Sequence, residues 1–131
     1  MDVGERRIGV ARVNSLAKIP EALEHITVSE DMDIISEVKK ILADYDAQAV
    51  VIGLPRGLDG QETNQTEFSR KFASNIRSNI KTDVYLIDEA GTSKAADEIL
   101  KNNPSLSRDS VSASIILEDF INYKNIEELK V

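Results

Sequence analysis

The stretch VYLIDEAGTS, residues 84–93, decides the fold because it is a short apolar run that stops abruptly on two carboxylates. Residues 84–87 are continuously apolar, which is typical of a strand buried on both faces. The stretch QAVVIGLP, residues 48–55, has the same character and leads into a Gly-rich loop. A helical pattern separates the two stretches, so we expect them to be parallel strands of one sheet.

Apolar residues recur at helical spacing through much of the remaining chain. This periodicity predicts four helices, over residues 32–45, 63–80, 93–102 and 109–123. Residues 29–31 are expected to begin the first of them, because hydroxyls and acids favour a helix N-terminus. Two further strands are predicted over residues 6–13 and 21–28, after a first strand at Asp2 that ends in a turn at Gly4.

Together these elements predict an α/β fold in which helices flank a mixed sheet. The early strands follow one another too closely for crossover connections and are expected to be antiparallel. The later strands have helical crossovers and are expected to be parallel. The length of 131 residues, with no linker and no internal repeat, predicts a single domain over residues 1–131.

The composition narrows the kinds of site that the chain can hold. There is no Cys, which excludes disulfides and thiolate metal sites, and with His25 as the one histidine a zinc site is not expected. No apolar run is long enough to cross a membrane and no signal core is present, so we expect a cytoplasmic protein without a membrane partner. The net charge of −7 argues against a broad non-specific grip on nucleic acid, but not against a local basic patch.

Three acidic residues, Asp2, Glu89 and Asp109, stand at the ends of predicted elements. Each alone is more often a turn or cap residue, and Asp88 is expected only to orient the loop or a backbone amide. In an open α/β sheet, however, ligands gather at the carboxyl ends of the strands. Three carboxylates converging there repel one another unless a cation lies between them, and Mg²⁺ or Mn²⁺ takes such oxygen ligands. Two such ions can activate water and stabilise the leaving oxygen of a phosphodiester, which favours a nuclease.

Four blocks of the sequence resemble the signature blocks of the YqgF/RuvX family, RNase H-like proteins related to the Holliday junction resolvase RuvC. They are DVGERRIGVA (2–11), VVIGLPRGLDGQE (50–62), IDEAGTS (87–93) and DSVSASIILEDFI (109–121), in the family's order. The resemblance implies an RNase H-like fold and a metal-dependent nuclease, acting on the ends of pre-16S rRNA or, alternatively, on branched DNA. It also implies that the family's three catalytic acids fall on Asp2, Glu89 and Asp109.

The resemblance also implies that polar residues around the same end of the sheet contact the substrate. These are Arg6, Arg7, Arg56, Thr92 and Ser93. The arginines are expected to hold phosphate, because Ala90 stands where the family has an Arg after its Glu. The family also has several apolar residues before its first Asp, whereas this chain begins MD. That difference predicts either an upstream start or a central strand that is mostly lacking, with Asp2 loosely held.

Two other classes of function stay open on the sequence. A nucleotide-binding module is suggested by the D-x-G turn, which actin-like ATPases also use, but those proteins need two such domains, and the chain has no Walker-type motif. A non-catalytic descendant that binds RNA or a protein would fit the short start, Ala90 and the acidic surface. Residues 125–131 are expected to be either a solvated tail or a contact of a homodimer.

Overall fold

A mixed sheet with helices on both faces is the centre of the computed structural model, which describes residues 1–89 and 92–131, with side chains omitted for residues 92–95. The described elements are β1 Asp2–Val3, β2 Arg7–Gly9, β3 Ala11–Arg12, β4 Glu21–Ala22, β5 Ile26–Thr27, α1 Ile34–Asp44, β6 Ala49–Leu54, α2 Asn64–Asn79, β7 Asp83–Asp88, α3 Thr92–Asn102, α4 Arg108–Ile121 and a 3-10 helix Ile126–Leu129. The four helices lie within a few residues of their predicted positions. The first begins after Asp33, whose side chain caps Ser36 N, and not at residues 29–31.

The strand directions confirm the predicted mixed sheet. β1 pairs with β2, β2 with β5 and β3 with β4, all antiparallel, whereas β6 and β7 are parallel. Two hydrogen bonds join the halves: the Met1 nitrogen donates to Val51 O at 2.5 Å, and Gly53 N donates to Met1 O at 3.1 Å. This alternation is the parallel pattern, so β1 lies between β2 and β6. The short start predicts that Asp2 is loosely held, and this prediction was wrong. Backbone pairing secures Asp2, and the preceding Met1 is buried.

The two early strands predicted over residues 6–13 and 21–28 are each interrupted. Between β2 and β3, the Val10 N–H donates to Ser110 Oγ of α4 at 3.2 Å, and the Val10 carbonyl accepts from Leu23 N at 2.8 Å. A helix side chain thus takes the place of a strand neighbour at Val10. The prediction of two continuous strands was wrong. The interruption at Val10 could not be expected from the local sequence, because it depends on a contact with a helix a hundred residues away.

Successive side chains of the parallel strands point to opposite faces of the sheet and pack into two separate cores. Val50, Ile52 and Val84 face α1 and α2, in the cluster that contains Val38 and Ile76. The strand residues of the opposite parity, Val51, Tyr85 and Ile87, face α4 and pack against its Ile116 and Leu117 in a second cluster. Burial on both faces explains why residues 49–54 of β6 and 84–87 of β7 are continuously apolar in sequence.

The last residues of the chain lie along the outer edge of β7. Lys130 forms an antiparallel bridge with Tyr85, and Val131 N donates to Val84 O at 2.9 Å. Lys130 Nζ also lies 3.4 Å from Asp83 Oδ2. An open strand edge invites pairing with other chains, and this segment covers it. The homodimer remains a prediction. No helix in the described ranges is long and apolar enough to cross a membrane.

Candidate functional site

Asp2, Glu89 and Asp109 lie around one end of the sheet, where β1, β6 and β7 have their carboxyl ends. Asp2 belongs to β1, and Glu89 follows β7, where its N–H still donates to Leu54 O at 2.9 Å. Asp109 is in the first turn of α4, close to the predicted start of this helix at residue 109. The sheet and the helix start together place these acids near one another.

Asp2 and Glu89 form a pair of adjacent, partly buried carboxyl groups. Burial raises the pKa of Glu89 to about 7, and the charge of Asp2 adds to the rise. Burial also raises the pKa of Asp2, to which the Asp109 carboxylate contributes. Glu89 Oε1 is buried and has no hydrogen-bond partner. A buried acceptor without a donor is costly unless a proton or a cation satisfies it.

The Asp109 carboxylate is engaged elsewhere. Its Oδ2 lies 3.2 Å from Arg7 Nε, in an ion pair at the entrance to the site. Among the residues that the structure describes, no three His, Cys, Asp or Glu side chains form a group that could hold one metal ion. The structure thus brings Asp2 and Glu89 together and leaves Asp109 beside them, bonded to an arginine.

Two glycines allow the surrounding elements to come this close, and sequence reasoning missed their role. A Cβ on Gly9 of β2 would lie 1.9 Å from the Asp109 carbonyl oxygen, so the first turn of α4 rests directly on the strand. A Cβ on Gly53 of β6 would lie 2.5 Å from Glu89 Oε1 and 2.5 Å from Ile116 Cδ1. Glycines within predicted strands are the sequence signal that could have identified these approaches.

We expect Gly53→Ala to displace the Glu89 carboxylate while the fold survives. The added methyl group meets side-chain atoms, which can shift at a cost of about 1–3 kcal/mol. Glu89 should then move toward solvent, and its pKa should fall from about 7 toward the usual range for Glu. Carboxyl carbon NMR during a pH titration measures this, with Gly57→Ala as the control, since the nearest atom there is 3.2 Å away. An unchanged Glu89 titration in Gly53→Ala would contradict the packing.

The predicted basic residues have different surroundings. Arg56 donates to Asp88 Oδ1 through Nε at 3.2 Å and Nη2 at 3.0 Å, and its Nη1 lies 3.6 Å from Glu62. Asp88 thus pairs with an arginine of the loop that follows β6. Arg6 is exposed at the turn before β2. Ala90 and the side chains of Thr92 and Ser93 lie outside the described residues.

Two polar residues of α2 support the site and were not singled out in the sequence. Gln65 Nε2 donates to the carbonyl of Val3 at 2.7 Å, directly after Asp2. The Thr66 hydroxyl donates to the carbonyl of Pro55, at the start of the loop that carries Arg56. Both bonds fix backbone at the carboxyl ends of strands, so α2 helps to hold the site in shape.

A cavity of about 500 Å³ lies at the opposite end of the sheet from the acids. Its walls include Val10, Ala49 and Val51 from the strands, Ile41 from α1 and Phe120 from α4. None of the three acids lines it. Carboxylate chemistry therefore belongs to the other end, where charged groups gather around the strand ends.

Comparisons with known proteins agree on one family and one fold. The family model RuvX, described as a Holliday junction resolvase, matches residues 1–123. A "Putative pre-16S rRNA nuclease" of Orientia tsutsugamushi (strain Ikeda) is 37% identical over 124 residues, which are 90% of this chain and 78% of the relative. A protein of the same name from Chloroflexus aurantiacus (strain ATCC 29366 / DSM 635 / J-10-fl) is 35% identical over 127 residues, 92% of this chain and 83% of the relative.

Among solved structures, the chain is similar to T. thermophilus RuvC, whose structure was determined in complex with a Holliday junction substrate. The TM-score is 0.53 at 16% sequence identity, and the match covers 88% of this chain and 87% of RuvC. At this identity the likeness concerns the fold alone. It confirms the RNase H-like mixed sheet flanked by helices that the sequence predicts.

Proposed function

Because the chain belongs to the RuvX family of nucleases, we propose that it is a divalent-metal-dependent nuclease that cuts structured RNA at the ends of pre-16S rRNA. The substrate class is that named for the relatives from Orientia and Chloroflexus. The observation that carries the proposal is the buried Glu89 Oε1, which has no hydrogen-bond partner and lies beside a second carboxyl group.

The donor set at this site fits Mg²⁺ or Mn²⁺. The oxygens of Asp2 and Glu89 are hard ligands, and their raised pKa values reflect burial and charge repulsion that a cation would relieve. A bound divalent cation would activate water and stabilise the leaving oxygen of a phosphodiester. Asp109 is the proposed third ligand.

The basic residues around the acids would hold the nucleic acid. Arg6, Arg7 and Arg56 can bind backbone phosphates through their guanidinium groups, and Thr92 and Ser93 are proposed as further contacts. The net charge of −7 opposes binding elsewhere on the surface. The affinity for nucleic acid should therefore fall with salt along a shallow slope, because only a few phosphate contacts are made.

A titration with Mn²⁺ and Mg²⁺, followed by amide NMR, tests the metal site without relying on activity. We expect saturable shifts at residues 2–4 and 108–110 and at Glu89 in the wild type, and their loss in Glu89→Gln. Asp88→Asn is the matched control, because Asp88 is the neighbouring acid but is exposed and bonded to Arg56. Retained shifts in Glu89→Gln, or none in the wild type at millimolar metal, would refute the proposed site.

Branched DNA is the second candidate substrate, because the family model is described as a Holliday junction resolvase. Cleavage assays with pre-16S rRNA ends and with a four-way junction, side by side under the same metal conditions, separate the two substrates. We expect cleavage of the RNA, abolished in Glu89→Gln. Junction cutting with inert RNA would reverse the assignment. A site that binds metal but cuts neither substrate would favour a non-catalytic binding protein.

A further inference from the structure

Arg7 lies at the start of β2, where its backbone is fixed and its side chain is exposed. Its carbonyl accepts the Gly4 N–H at 3.0 Å, which closes the turn after β1, and the residue pairs with Thr27 of β5. The guanidinium extends to α4 and lies 3.2 Å from Asp109. Arg7 is thus held next to the turn that follows Asp2, with its charge facing both Asp109 and solvent.

The contact between Arg7 and Asp109 is suited to exchange. The Arg7 side chain is 61% exposed and that of Asp109 is 32% exposed. An ion pair in such surroundings is weak, because water screens both charges. A phosphate is the stronger partner, since a guanidinium binds two of its oxygens through parallel N–H groups. Nucleic acid arriving at the site therefore competes with Asp109 for Arg7.

Asp109 is the acid whose orientation decides whether the carboxylate set is complete. Asp2 and Glu89 already lie side by side, but with Asp109 bonded to Arg7 the described acids form no group of three for a metal ion. A side chain can turn between staggered rotamers without moving its backbone. The backbone of Asp109 stays packed on Gly9 while its carboxylate changes partner.

We infer that Arg7 is a positioning residue that couples nucleic-acid binding to metal binding, by holding Asp109 away from Asp2 and Glu89 until a backbone phosphate takes the guanidinium. The inference rests on the proposed function and adds regulation to the same site. Arg56 has no such role, because its partners are Asp88 and Glu62, which lie outside the acid set. Metal and substrate then favour each other's binding, as linkage requires.

A double-mutant cycle on Mn²⁺ affinity tests this coupling in the folded protein without substrate. The free Mn²⁺ concentration is followed by electron paramagnetic resonance for the wild type, Arg7→Gln, Asp109→Asn and the double variant. We expect Arg7→Gln to tighten Mn²⁺ binding about fivefold, because it frees the Asp109 carboxylate. In the Asp109→Asn background the same change should have no effect. Arg56→Gln removes an equal charge nearby and should leave the affinity unchanged.

A second experiment measures the Mn²⁺ affinity in the presence of a short phosphorothioate RNA, which is the phosphate probe. The Mn²⁺ bound by the RNA alone is subtracted. The RNA should tighten Mn²⁺ binding by the wild type and add nothing in Arg7→Gln. Equal tightening by Arg7→Gln in both backgrounds, or by Arg56→Gln, would mean a general charge effect and overturn the inference. Mn²⁺ binding that depends on Glu89 but is unchanged by Arg7→Gln would overturn this inference and leave the proposed metal site standing. No bound Mn²⁺ in any variant would overturn the proposed metal site with it.

Discussion

Gly9→Ala is expected to lower the free energy of unfolding by about 3 kcal/mol or more, the largest loss of any substitution considered. The new Cβ would lie 1.9 Å from the Asp109 carbonyl oxygen, 2.2 Å from its carbonyl carbon and 2.9 Å from Ser110 N. These are backbone atoms, so relief requires the first turn of α4 to move off the sheet. That movement also breaks the bond from Val10 N to Ser110 Oγ and separates buried Val111 from its core.

Urea unfolding followed by circular dichroism measures the loss, with Gly60→Ala as the control. Gly60 has φ of +79°, and a Cβ there would meet nothing within 4 Å. Its substitution should therefore cost only the strain of a left-handed residue, about 1–2 kcal/mol. If Gly9→Ala were no more destabilising than Gly60→Ala, α4 could not rest on β2 at the distance described.

The fold could be predicted where periodicity reports burial directly. Residues 49–54 and 84–87 are apolar because both faces of β6 and β7 are covered there. Phe68, Phe72 and Ile76 recur every four residues along α2 and pack into the core. The interruption at Val10 could not be predicted, since it depends on Ser110 of a distant helix. The same holds for the bridge between Lys130 and Tyr85, whose pairing no local pattern indicates.

For the site, the position of each acid at the end of an element indicated which acids would lie together. The sequence did not indicate which residues these acids would bond to. Strand ends brought Asp2 and Glu89 to one place because parallel strands share a carboxyl edge. The ion pair of Arg7 with Asp109 depends on the distance between β2 and α4, which Gly9 sets. Such distances follow from packing of whole elements and leave no signature in the order of residues.

Glu89→Gln is expected to remove metal binding and at the same time to stabilise the metal-free protein at alkaline pH. Burial, together with the Asp2 carboxylate, raises the pKa of Glu89 to about 7 from the ordinary value of 4.5. The folded state therefore binds the Glu89 proton more tightly than the unfolded state does. The contribution of Glu89 to stability is therefore highest below about pH 4.5, falls as the pH rises to about 7, and stays low above it. Glutamine carries no charge at any pH and avoids this loss.

After allowance for solvent screening, we expect Glu89→Gln to be more stable than the wild type by about 1–2 kcal/mol at pH 8, with the difference vanishing near pH 4. Urea unfolding at both pH values measures it, and Asp88→Asn, at the exposed neighbour that binds Arg56, should show no such gain. Saturating Mg²⁺ should raise the stability of the wild type and leave Glu89→Gln unchanged, because only the charged pair gains from a cation. A Glu89→Gln variant less stable at pH 8 than the wild type without metal would show that the carboxylate is satisfied within the fold. Greater stability would instead identify Glu89 as a group kept for binding at the expense of folding.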